Sequence, residues 1–191
     1  MKNILFVSLL GLLVACGPNP PKAEKQADLQ ITKGVSINSD QFNSQFKLFL
    51  HSYYDLKDAF IKEELIAIDA NADSLAKQIN QIPVKELKLD STQKAAQILI
   101  ESIQAELKGL KGETDIEEKR KAFQMIGEQL LVLIQTVQYD YEIIYNQYCP
   151  MAMNDNGATW LSNSADIKNP YLPKTMLECG EVKDTLNNLV K

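Results

Sequence analysis

The chain has 191 residues, 45% of them hydrophobic and 24% charged, which is enough for one domain with a sizeable core. Its 20 Lys and Arg stand against 25 Asp and Glu, a net charge of −5, and no basic cluster offsets that balance. This argues against nucleic acid or an anionic lipid surface as partner. The single histidine, His51, excludes His-rich zinc sites, histidine-based triads and bis-histidine haem ligation, because each needs residues that are missing.

Residues 1–15 read as a targeting signal: Lys2 supplies a positive start, and the apolar run over 4–14 is too short to span a bilayer. The run ends in Leu13-Val14-Ala15-Cys16, which resembles the lipobox of bacterial lipoproteins. That resemblance implies that Cys16 becomes an acylated N-terminus and anchors the chain without spanning the membrane. Residues 16–38, the lipidated cysteine and a stretch rich in Pro, Lys, Gln and Ala, read as a flexible tether. No acidic run follows Cys16, which favours a periplasm-facing protein anchored to the cell envelope, at the outer membrane before the inner one.

The domain itself is expected over 39–191. Ser39 or Asp40 can cap a first helix, in which Phe42, Phe46, Phe49, Tyr53, Leu56 and Phe60 alternate at spacings of four and three. Such a seam packs against other helices. A second helix is expected over 63–82, with Leu65, Ile68, Ala72, Leu75, Ile79 and Ile82 on one stripe and Pro83 closing it. Asp90 with Gln93 has the spacing of a capping box for a third helix, striped by Ala96, Leu99, Ile103 and Leu107 or Leu110, with Gly109 and Gly112 marking its end. Thr114-x-x-Glu117 caps a fourth, which presents Phe123, Ile126, Leu130, Leu133 and Val137 and ends near Tyr139. Four amphipathic segments on short connections predict an all-α fold, an antiparallel four-helix bundle. Residues 141–148 are aromatic and β-branched, so they read as extended or as a short strand. The stretch 149–182 is too rich in Asn, Pro and Gly for regular structure and is expected to pack on the bundle as a long irregular Cys/Met/Trp loop. A short last helix is expected over 181–190.

Little of this carries enzyme chemistry. His51 points away from the helix-one seam and reads as a solvated side chain. Asp69 and Asp73 share a helical face, and Glu63-Glu64 and Glu117-Glu118 are adjacent pairs, but acidic faces on helical proteins are ordinarily solvated. There is no Glu-x-x-His motif, phosphate-binding loop or nucleophile elbow, so no catalytic residue is assigned and the chain reads as a non-enzyme.

The sulfurs are different. Cys149, Met151, Met153, Met176 and Cys179 fall within one stretch. Cys149 and Met151 lie two apart, on one side of an extended segment; Met176 and Cys179 lie three apart, on one side of a helical turn. Thiolate with thioether is the soft ligand set that suits Cu(I). Against this stands a Cys149–Cys179 disulfide, closing a loop of about 30 residues and contributing on the order of 3–4 kcal/mol. The methionines would then fill gaps beside Trp160, Tyr148 and Tyr171. On spacing alone the disulfide or inert packing stands ahead of the metal.

The late residues also carry a family resemblance. Cys149-Pro150-Met151-Ala152, then Gly157, Ala158, Trp160, Leu161 and Ser162, then Ile167, Asn169, Pro170 and Tyr171, then Met176, Leu177, Cys179, Gly180 and Val182 form one pattern. Together with Tyr53-Tyr54-Asp55-Leu56-Lys57-Asp58-Ala59-Phe60, it resembles an uncharacterised helical-bundle family over about residues 42–182. That family occurs as envelope lipoproteins and as the C-terminal extension of periplasmic adaptors of copper/silver-type heavy-metal efflux pumps. Phe60 departs from it where a smaller aliphatic residue is expected, and Pro173 where Gly is common. The family brings no established activity. Its association with efflux adaptors raises the metal reading to parity with the disulfide, and the two are compatible if a reducible disulfide gates a thiolate site. The expectation is therefore a lipid-anchored domain that binds or passes a soft, Cu(I)-like metal, with a heavy-metal efflux adaptor or another envelope protein as partner. Its ligands would be Cys149 and Cys179 as thiolates and Met151 and Met176 as thioethers, with Met153 in reserve and Trp160 shielding the site. The alternative is a structural or protein-binding module whose disulfide-stapled loop presents Trp160, Tyr171 and Leu172.

Overall fold

In the computed structural model, which describes residues 36–186, the first element is α1, Asp40–Lys62. The expectations for the signal over 1–15, Cys16 and most of the tether lie outside the described residues. Ser39 caps α1 by accepting a hydrogen bond from the Phe42 N–H at 3.0 Å. All six residues of the expected seam are fully buried. Glu63 ends the helix in the left-handed region (φ 56°) and returns its N–H to the carbonyls of Ala59 and Phe60.

That turn at Glu63 delays α2, which runs over Leu65–Ile79, inside the expected 63–82. Ile68, Ala72, Leu75 and Ile79 are buried, while Leu65 is exposed in the first turn. A short 3-10 turn over Val84–Glu86 leads to α3, Asp90–Gly112. The Asp90/Gln93 capping box does not form. The Gln93 side chain instead donates to the Leu87 carbonyl at 2.8 Å, tying the 3-10 turn to the helix. In α4, Ile116–Val137, the cap is Asp115 and not Thr114: its carboxylate accepts from the N–H groups of Glu117 and Glu118. The helices pack in chain order, each on the next. Aromatic rings close α1 against α4, with Tyr53 stacked on Phe123 at 5.2 Å and Phe60 tilted against Phe123 at 4.7 Å.

The fold is a helical bundle but not purely all-α. Three strands follow: β1 Ile144–Cys149, β2 Ala158–Ser162 and β3 Glu181–Leu186. They form one antiparallel sheet in the order β2-β1-β3. This corrects two expectations. The supposedly irregular motif contains a strand, because its turn formers concentrate at 154–157 and 169–173 and leave Thr159-Trp160-Leu161 free to pair. Residues 181–186 are a strand and not the start of a helix, because Tyr148↔Glu181 through Ile144↔Leu186 pair along β1 with a bulge at Asn146/Gln147. The non-local ladder overrides a weak local preference.

The outer edge of β2 is closed by tyrosines. The Leu161 N–H donates to the Tyr53 hydroxyl at 3.3 Å, and the Tyr171 hydroxyl donates to the Thr159 carbonyl at 2.8 Å. These bonds satisfy edge groups that would otherwise invite another chain. They also fix the sheet on the bundle, and α4 accommodates them through Gly127, where a Cβ would stand 2.9 Å from the Tyr53 hydroxyl.

Candidate functional site

The strand β1 carries the chain to Cys149, which is fully buried. Cys149 is joined to Cys179 by a disulfide across 30 positions, with the two Cα atoms 5.8 Å apart, within the ordinary range for such a bridge. Trp160 sits opposite Gln147 across the β1–β2 ladder. It is 1% exposed, with its ring 6.1 Å from that of Tyr171.

Between Ser162 and Cys179 the chain is tied by two amides, Asn169 within it and Gln147 from β1. The Asn169 carbonyl oxygen accepts from the N–H groups of Tyr171 (2.8 Å) and Leu172 (3.1 Å), an Asx-type turn through Pro170. Its amide nitrogen donates to the Cys179 carbonyl at 3.1 Å, and its backbone N–H donates to the Leu177 carbonyl at 2.8 Å. From β1, the buried Gln147 donates to the carbonyls of Ser164 and Asp166. Sequence reasoning quoted Asn169 only as a pattern residue and missed Gln147; an Asn directly before Pro-Tyr was the available signal for the first.

A buried arginine pins this loop to the bundle. Arg120 on α4 donates through Nε to the Pro170 carbonyl at 3.1 Å and through Nη2 to Glu63 at 2.9 Å, and it also pairs with Glu117. Lys174, from the loop, meets the other oxygen of Glu63. Lys174 above all holds the Glu63 carboxyl below its ordinary value; burial opposes it, and Arg120 then adds to the lowering. A carboxyl whose pKa is lowered by folding adds stability that is complete above its unfolded value and is lost as pH falls through the folded one. The melting-temperature gap between wild type and Glu63→Gln should therefore be open at about pH 6 and narrow as pH falls below the ordinary carboxylate range, through the folded value. A gap that is constant across that range would mean the ion pairs carry none of the loop's attachment.

The remaining candidates resolve individually. His51 is half exposed, 3.2 Å from Glu142. Asp69 pairs with Lys119 at 2.6 Å and Asp73 pairs with Lys111, so the acidic face of α2 is bound to α3 and α4. Tyr53 and Tyr171 are buried phenols whose pKa values burial pushes far up, so they act as neutral hydrogen-bonding groups.

The four proposed sulfur ligands divide in two. Cys149 and Cys179 meet. Met151 is 44% exposed and Met176 37% exposed, so neither fills a gap beside Trp160. Met153 is half-buried against the core in the left-handed region (φ 54°). Trp160 and Tyr171 are buried, which leaves neither as a surface for a partner. Among the described residues no three His, Cys, Asp or Glu side chains are grouped to hold a metal ion. The donor set nevertheless fits a soft ion once the disulfide is reduced, since reduction places two thiols at one point with a thioether close along the chain on either side.

A domain described as a protein of unknown function (DUF3347) is found at residues 49–142. The match covers most of α1, all of α2 to α4, and stops before β1, so the disulfide and its loop lie beyond it. No curated protein and no solved structure matches the chain.

Proposed function

We propose that the protein is a lipid-anchored, periplasm-facing domain whose C-terminal loop binds or passes a soft metal, Cu(I)-like, in heavy-metal efflux or homeostasis. The observation that supports this reading best is the junction of Cys149 and Cys179 at 5.8 Å beside two exposed thioethers, Met151 and Met176. Cys149 and Cys179 would hold the ion as thiolates and the methionines as neutral donors. The ion would supply only its own affinity and redox state, and no turnover is ascribed to the chain. In the disulfide form neither sulfur is a thiolate, so two-electron reduction by a dithiol donor is the step that creates the site.

A second reading has its own support. Cys149 is fully buried, as befits a structural staple, and the module would then serve to position the bundle against another envelope protein. A thiol count followed by anaerobic Cu(I) titration of the reduced full chain, against a competing chelator, separates the two. Stoichiometric retention that is lost in Cys149→Ser/Cys179→Ser and weakened in Met151→Leu/Met176→Leu supports the metal carrier. No retained Cu(I) after full reduction leaves the stapled module and ends the metal reading.

A further inference from the structure

Away from the disulfide, a second polar centre lies between α1 and the segment that follows α4. Lys47, His51 and Tyr54 share one stripe of α1 and face Tyr139, Asp140 and Glu142. The outer oxygen of Glu142 is held by His51 Nε2 at 3.2 Å and Lys47 Nζ at 3.9 Å. Its inner oxygen, Oε1, is buried and has no partner, as does Oδ1 of Asp140 two residues before it. The hydroxyls of Tyr54 and Tyr139 are likewise buried and unpartnered, on residues 3% and 2% exposed. Their rings are fixed, Tyr139 against Phe46 at 4.6 Å and Tyr54 against His51 at 5.7 Å.

These groups act on one another. Burial first, and then the Glu142 charge, raises both phenols; Tyr139 adds to the effect on Tyr54, and Tyr141 and Asp140 add to that on Tyr139. Two hydroxyls could in principle satisfy two carboxylate oxygens directly, yet none of the four makes a hydrogen bond to another. Buried polar groups left this way are unusual in native proteins and point to a bridging occupant.

We propose that Tyr54, Tyr139, Asp140 and Glu142 enclose a site for one hard divalent cation of the calcium class. All four donors are oxygens, two of them charged, which suits a hard ion and not a soft one. A single water can donate only two hydrogens and brings no charge, whereas Asp140, unlike Glu142, has no ion pair among the described residues to offset it. A cation meets both carboxylates and accepts the phenol oxygens and waters as its remaining ligands. This site shares no residue with the sulfur loop, so it stands or falls independently of that reading.

Terbium(III), a calcium mimic excited through nearby tyrosines, is the probe. The full chain, stripped with a chelator, should show one saturable emission event that calcium displaces. Asp140→Asn/Glu142→Gln should abolish it, and Tyr54→Phe, which removes an oxygen and keeps the ring, should weaken it about tenfold. Calcium should also raise the melting temperature of the stripped wild-type chain, a readout that needs no variant. Emission that does not saturate, or that survives in the double variant, or a melting temperature indifferent to calcium, would leave an ordered water as the occupant and overturn the cation site.

Discussion

Gly180→Ala should lower the melting temperature by on the order of 10 °C, while Gly109→Ala, the same substitution on α3, should leave it unchanged or raise it slightly. Gly180 links the disulfide to β3 at φ +141°, a conformation that an L side chain adopts only under strain of about 1–3 kcal/mol. A Cβ there would also stand 2.8 Å from the Tyr148 carbonyl and 3.0 Å from Cη2 of Trp160. One obstacle is backbone of the central strand and the other is a fully packed indole, so neither can yield cheaply; overpacking of this kind adds about 1–3 kcal/mol. At Gly109 a Cβ meets nothing within 4 Å, and replacing a helical glycine by alanine gains roughly 0.5–1 kcal/mol. Thermal melts of the two variants beside wild type decide the matter. A Gly180→Ala protein within about 2 °C of wild type would mean that β3 and the Trp160 pocket are not coupled in this way.

That coupling was only partly visible in the chain. The seam from Phe42 to Phe60 could be read residue by residue, because helical burial repeats locally and each member of the stripe announces the next. Helix ends were harder. Thr114 and Asp115 are both competent caps, and only the geometry of the α3–α4 turn selects Asp115. The strands were legible in proportion to their locality. Residues 141–148 read as extended from their side chains alone, whereas Glu181–Leu186 is polar and becomes a strand only because β1 lies alongside it. Arg120 gave no sign of burial, since its partners Glu63 and Pro170 lie more than forty positions away in either direction. Cys149 and Cys179 were legible as a pair but not as a bond, because a spacing of thirty residues constrains neither their approach nor their oxidation state.

The bond makes the second large effect. Cys149→Ala/Cys179→Ala should lower the melting temperature by on the order of 10 °C, reflecting about 3–4 kcal/mol of loop entropy restored to the unfolded chain. Alanine is the better probe than serine, because Cys149 is fully buried and a hydroxyl there would add its own cost. The loss should be uneven. β3 is exposed along nearly its whole length, so apolar burial does little to hold it, and a strand with so little burial is marginal in water. Its attachment rests on the β1 ladder and on the staple two residues before it. Native-state hydrogen exchange should therefore show the β3 amides losing protection far more than those of α1, whose core stripe is untouched. Equal loss in both elements would make the disulfide a global constraint and not a clamp on β3. The result bears directly on metal binding. Cys149 is covered in the folded protein, so an ion reaches its thiolate only if reduction also loosens the strand that follows Cys179. If β3 stays protected when the disulfide is removed, the sulfur site has no door, and the stapled-module reading gains what the copper reading loses.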